Sequence, residues 1–220
     1  MYDFEFGTSE EIASNELEFL IFIKHLLPRW CNSIPDSEFA AIYHLLESQK
    51  DHLNSNSVLV ETGAGASSLV LLNFAMKNNL DLFSWEINAT KCAFLRGVYN
   101  DTLGKYYRKS LWDYWKYVPC NSLSDHIGLS ILGELKKNVV FCFLDSEHTL
   151  KTMLGELNAL DPVLAENAIV AIDDANYNYK FVNVSYVNMQ RKKLGLPPVV
   201  ETDENIGGSF FDECSEVLKE

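Results

Sequence analysis

The 220-residue chain is short of cysteine, proline and basic side chains, and each shortage narrows what it can be. Its five cysteines, Cys31, Cys92, Cys120, Cys142 and Cys214, are odd in number and contain no CxxC pair, which argues against a disulfide framework and for a reducing compartment. With six prolines, no internal repeat and no Pro/Gly/Ser-rich tract, the chain offers no linker at which to divide it. Lys and Arg number 18 against 31 Asp and Glu, a net charge of −13 that repels a phosphate backbone. The densest basic cluster, Arg191-Lys192-Lys193, is too small to reverse this, so no nucleic-acid partner is expected. The N-terminal apolar run "FLIFIKHLL" is short and contains Lys24 and His25, so it predicts a packed helix and no membrane partner. The expectation is a soluble, cytoplasmic protein. What the chain does have is 47% hydrophobic residues, enough for a sizeable core.

Two kinds of period alternate along it. Helical spacing covers about 9–27, and "PDSEFAAIYHLLESQ" places Asp36 or Ser37 as a cap before a second amphipathic helix. From there strands are predicted at 57–61, 80–88, 115–120, 138–145 and 167–174, separated by helices at 67–79, 89–103, 125–137 and 149–165. A helix from Lys180 to about Leu194 and two short edge strands, "PPVVET" and "GGSFF", complete the pattern. The fourth and fifth strands are almost wholly apolar, as strands covered by helices on both faces are. The fold class is therefore α/β: a Rossmann-like, doubly wound, mostly parallel sheet with an antiparallel edge strand, plus N-terminal helices. Residues 1–55 are expected to form a helical segment ahead of a single sheet-bearing domain over 56–220.

Ligands of such sheets bind beyond the carboxyl ends of the strands. Four of the five strands end in acid: Glu61, Glu86, Asp145 and the pair Asp173-Asp174. After the first strand comes "ETGAG", where Gly63, Ala64 and Gly65 allow a tight turn and Ser67 or Ser68 opens the next helix. Gly65 is expected in a backbone conformation or a ligand approach that tolerates no side chain. An acid just before these glycines is a poor neighbour for a pyrophosphate and a good one for a cation. Glu86, about 20 residues past the glycines, stands where a carboxylate accepts hydrogen bonds from a ribose diol. Glu61 and Glu86 together describe a nucleoside joined to a positively charged group.

On "ETGAG", "WEIN" and the βα alternation, residues 56–176 resemble the class I S-adenosylmethionine-dependent methyltransferases. The resemblance implies that the glycine turn holds the methionine part of S-adenosylmethionine and that Glu86, with Ile87 beside it, holds the ribose. It departs from the family at the third strand, where "PCNSLSD" leaves Asn121, Ser122 or Asp125 for adenine. "FLDSEH" and "AIDDANY" are similar to the small-molecule O-methyltransferase branch, some of whose members hold Mg²⁺ or another divalent cation. That implies Asp145, Asp173, Asp174 and Asn176 as ligands, oxygen donors suited to a hard cation. His148, three residues past Asp145, is the preferred base for a hydroxyl attacking the sulfonium methyl, with Asp145 and Asp174 completing the catalytic group.

The N-terminal helices are expected to cover the substrate or to form a homodimer contact, and the aromatic stretch "YYRKSLWDYWKY" to pack in the core, line an apolar acceptor or form a lid. A nicotinamide-dependent oxidoreductase leaves Glu61 awkward and lacks a TyrxxxLys pair. A noncatalytic nucleoside-binding protein would keep the same turn and acids. The expected activity is methyl transfer to a small-molecule acceptor, at oxygen.

Overall fold

Five strands in a computed structural model of the chain make one fully parallel sheet in the order β3-β2-β1-β4-β5. The strands are β1 (Ser57–Thr62), β2 (Asp81–Trp85), β3 (Trp115–Val118), β4 (Asn138–Leu144) and β5 (Leu164–Ile172). The structure describes residues 14–147 and 149–173, together with Ile12, Met189, Lys192 and Gly195. Of the expected helix at 180–194 only Met189 and Lys192 are described, both helical, and the two edge strands, one of them the antiparallel edge, lie outside the described residues.

Alternation along β1 divides the core. Leu59 faces a layer built from α1 (Glu16–His25), α2 (Asp36–Ser48), α3 (Ala66–Asn78) and α4 (Ala89–Tyr99). Val58 and Val60 face the opposite side, with Leu132 of the short α5 (Ile131–Glu134) and Leu160 of α6 (Leu150–Leu160). Helices on both faces account for the apolar strands, as parallel pairing requires. β4 carries one extra residue, Val140, so that Val140 and Phe141 both join the first layer while Cys142 returns to the second. Helix α3 is buried over Ala66–Met76, sandwiched between the sheet and the N-terminal helices. It stops at Asn79, whose left-handed conformation (φ 58°) ends the helix as a short polar side chain permits. No helix among the described residues is long and apolar enough to cross a membrane.

Two predicted helices are shorter than their patterns. Over 125–137 the helix shrinks to Ile131–Glu134, because the chain before it folds back on itself. Gly128 N–H donates to the Ser124 carbonyl at 2.8 Å and Leu129 N–H to the Ser122 carbonyl at 2.7 Å, and a Cβ on Gly128 would stand 2.4 Å from the Ser122 carbonyl oxygen. The helix predicted to reach residue 165 ends at Leu160, followed by a 3₁₀ turn over Asp161–Val163. Pro162 brings no N–H to extend the helix, and β5 begins at Leu164, ahead of its expected start at 167. Helix α4 runs on through a π-helical turn, Asn100–Gly104, into a last turn at Lys105–Tyr107.

Candidate active site

The site grows from the reversal in strand order between β1 and β4, where the loops leaving the two strands part. Gly63 stands in that gap with φ +90°, and a Cβ there would lie 2.0 Å from the Asp145 carbonyl oxygen. Its N–H donates to the Trp85 carbonyl at 2.8 Å, while Asp145 N–H donates to the Thr62 carbonyl at 2.8 Å. The turn is thus sewn to both neighbouring strands, and only glycine fits it. Within the protein itself the strict requirement falls on Gly63, while a Cβ added at Gly65 would meet the Cys31 carbonyl at 3.4 Å, an ordinary contact.

Behind the turn lies Glu61, with no exposed surface. On β1 it points to the same side as Leu59, toward α3, and is met by hydroxyls. Ser84 donates at 2.5 Å, Ser68 at 2.7 Å and Ser67 at 3.3 Å. The chain of donors continues outward, since Trp115 Nε1 donates to Ser84 Oγ at 2.6 Å and Gly65 N–H donates to Ser68 Oγ at 3.1 Å. Tyr99 closes the ring by donating from its hydroxyl to the Gly65 carbonyl at 2.7 Å. Loss of hydration pushes the Glu61 carboxyl up to about 7, against the pull of the three serine hydroxyls and the Lys91 charge. Glu61, Ala64, Ser67 and Ser68 are all buried, and the serine hydroxyls tie the Glu61 carboxylate to the turn and the start of α3.

In front of the turn opens a cleft of about 450 Å³ lined by Gly63, Glu86, Ile87, Asn121, Ser122 and Asp145, all of them predicted from sequence. Glu86 is 8% exposed, and its Oε1 accepts from Asn88 N–H at 2.7 Å. Its Oε2 is 3.2 Å from Lys91 Nζ, and Tyr117 donates to its carbonyl at 2.7 Å. Ser122 donates to Glu156 at 2.5 Å, and Thr62, on the α6 side of β1, donates to the same carboxylate at 3.4 Å. Glu156 thereby ties the loop after β3 to the end of β1 from beneath the cleft. Trp30 and Ser33, from the segment between α1 and α2, also line it, with Trp30 packed on Phe94 at 5.2 Å between ring centroids.

On the other bank, Asp145 and Asp173 close neighbouring strands, for Asp173 N–H donates to the Leu144 carbonyl at 2.9 Å. Glu147 accepts from the Thr152 hydroxyl at 3.2 Å, and Thr149 caps α6. His148, Asp174 and Asn176 lie outside the described residues. Among the described residues no group of three His, Cys, Asp or Glu could hold a metal ion. Burial pushes the thiols of Cys92 and Cys142 up to about 12, which leaves neither as a nucleophile.

Sequence reasoning missed Lys91, Tyr99, Trp30 and Glu156. Lys91 follows the cap residue Asn88 by three positions and could have been noticed there. The other three have no local signal, since each reaches the site through tertiary packing. Of the aromatic stretch, Trp115 is core and Trp112 is 61% exposed with the Arg96 guanidinium 3.3 Å from its ring centroid, and neither lines this cleft.

The profile of a family described as a methyltransferase domain matches residues 60–175. The chain is similar in structure to the SAH-bound methyltransferase PaMTH1 of Podospora anserina, at TM-score 0.53 and 14% identity, covering 100% of this chain and 89% of that one. It is also similar to apo CalS11, a TDP-rhamnose 3′-O-methyltransferase of calicheamicin biosynthesis, at TM-score 0.50 and 13% identity, covering 86% of this chain and 87% of that one. None of the curated protein sequences compared with it matches significantly.

Proposed function

The chain belongs to this methyltransferase-domain family, a class I S-adenosylmethionine-dependent enzyme, and on that premise we propose that it methylates an oxygen of a small-molecule acceptor in the cleft beside Gly63. The observation that carries the reading is the position of Glu86: a carboxylate ending β2, almost buried yet lining the cleft, one strand away from the glycine turn. A carboxylate so placed suits a ribose diol, and Ile87 next to it suits the face of an adenine. Asn121 and Ser122 supply polar groups for the base edge, and Ser122 is held in place by Glu156. The acidic chain, at −13, favours a small acceptor over a nucleic acid.

The acceptor belongs at the bank formed by Asp145, between the glycine turn and β5. S-adenosylmethionine supplies an activated methyl group on a sulfonium. The residues' part is to align the acceptor oxygen with it and to take its proton, a task we assign to His148 with Asp145 and Asp174. Two carboxylates on adjacent strand ends, Asp145 and Asp173, would suit a divalent cation, with Asp174 and Asn176 as the further donors. Proximity of a cation would also lower the pKa of the acceptor hydroxyl.

Titration calorimetry with S-adenosylmethionine, S-adenosylhomocysteine and NADH tests the cofactor. Both methyl-cycle ligands should bind, and Glu86→Ala should weaken them by about 1–3 kcal/mol, as loss of charge-assisted hydrogen bonds does. Binding of NADH alone would overturn the reading. Methyl transfer to a panel of hydroxylated acceptors, with and without chelator, tests the cation. Turnover lost to chelator with cofactor affinity intact supports it, and turnover unchanged removes it.

A further inference from the structure

The walls of the cleft are acidic. Glu86, Asp145 and Glu147 line it, and Lys91 has the one basic side chain among the described lining residues. This lysine is held by its backbone, whose N–H donates to Asn88 Oδ1 at 3.0 Å in the first turn of α4. Its side chain is 22% exposed and ends 3.2 Å from Glu86 Oε2. The same ammonium lies 3.9 Å from the place a Cβ on Gly65 would occupy. It therefore spans from the end of β2 to the glycine turn, the two ends of the space in which the proposed cofactor's ribose and amino-acid parts would lie.

The charges of that cofactor make the position informative. S-adenosylmethionine carries two cationic groups, the sulfonium and the ammonium, which an acidic cleft accommodates. It carries one anion, the methionine carboxylate, which the same cleft repels unless a cation meets it. We propose that Lys91 is the receptor for the cofactor's carboxylate, resting on Glu86 in the free protein and exchanging that partner when the ligand enters. The ribose hydroxyls then take over Glu86 Oε2, and Lys91 Nζ moves the short distance to the carboxylate over Gly65. The ion pair seen here keeps Glu86 neutralised in the free cleft and selects ligands that have both a diol and a carboxylate. This inference rests on the S-adenosylmethionine reading above. The competing role, simple neutralisation of Glu86, would make Lys91 indifferent to the amino-acid end of the ligand.

Calorimetry separates the two, with S-adenosylhomocysteine, its decarboxylated analogue and 5′-methylthioadenosine as probes against the wild type, Lys91→Met and Lys91→Arg. The wild type should bind decarboxylated S-adenosylhomocysteine roughly 10-fold or more weakly than the intact ligand, the scale of a lost charge-assisted bond. Lys91→Met should abolish that discrimination by weakening the intact ligand alone, and Lys91→Arg should restore most of it. Affinity for 5′-methylthioadenosine, which has a ribose and no carboxylate, should hold or tighten in Lys91→Met because Glu86 is released. Equal affinity of the wild type for the intact and decarboxylated ligands overturns the proposal without any variant. So does a Lys91→Met protein that loses both S-adenosylhomocysteine and 5′-methylthioadenosine to the same degree. A wild type that binds none of the three probes overturns the cofactor reading itself, and this proposal with it.

Discussion

The two banks of the cleft are built on different terms. On the glycine-turn bank, Glu61 is sealed from solvent; Ser84 and Ser68 donate to it, Tyr99 donates to the Gly65 carbonyl and Trp115 donates to Ser84, all at 2.5–2.7 Å. On the bank of β4 and β5, Asp145 and Asp173 are half-buried acids at strand ends, and Glu147 next to them is bonded to Thr152 from the first turn of α6. The first bank is rigid before any ligand arrives, which suits a cofactor that is always the same. The second leaves its carboxylates partly exposed to water at the strand ends, open to an acceptor. A site that must hold one constant ligand and one variable one gains from that division.

Breaking the rigid bank should have the largest effect. Gly63→Val puts a side chain onto the Asp145 carbonyl in a backbone conformation valine avoids, so cofactor binding should vanish and the melting temperature fall sharply. Calorimetry and a thermal melt check this, and a stable variant that binds normally would mean β1 and β4 can separate at little cost.

Next in size is the pH dependence of the free protein. Glu61 is raised from its ordinary value of 4.5 to about 7, so the folded protein holds a proton there that the unfolded chain has released. Its contribution to stability is full below the unfolded value and is lost as pH rises through about 7, a change of about 3 kcal/mol between the two limits. Denaturant titrations from pH 4 to 8 should show this fall in the wild type, and Glu61→Gln should flatten it. A parallel slope in the variant would place the proton elsewhere.

The softer bank should give a different signature. Asp145→Asn keeps the shape of the strand end, so cofactor affinity should stay within a few-fold while methyl transfer falls about 100-fold, the usual scale for a disabled acid–base group. Equal damage to binding and turnover would make the two banks one unit. Smallest is Tyr99→Phe, which removes one hydrogen bond to Gly65 and should cost about 1 kcal/mol of stability, read from the shift of the denaturation midpoint.

Much of the rigid bank was legible because its parts are close in sequence. "ETGAG" and Glu86 lie on consecutive strands, and strand ends in a parallel sheet meet at one edge. The hydrogen-bonded setting of Glu61 was not legible, since its partner Ser84, next to last in β2, carries no sign that it faces inward at the level of the turn. The same distance hides Tyr99 and Glu156, which enter through α4 and α6. The helix expected over 125–137 was misread because Leu129 and Leu132 have helical spacing, while Gly128, whose missing side chain lets the loop close, looks like any glycine. Burial of apolar positions is local enough to read; hydrogen bonds across layers are not.

The place of β1 at the centre of the sheet also bears on how the molecule is made. Val58 pairs with Asp81 on one side and with Val139 on the other, so one partner is nearby in the chain and the other must be gathered from far along it. Non-local pairing of this kind is slow, because the chain loses freedom before the contacts form. Gly63 can take up its position against Asp145 only when β4 has docked, so the binding site is a late product of folding. Cofactor present during refolding should therefore leave the early rate unchanged and act by holding the finished sheet closed, as a ligand that recognises only the native state does.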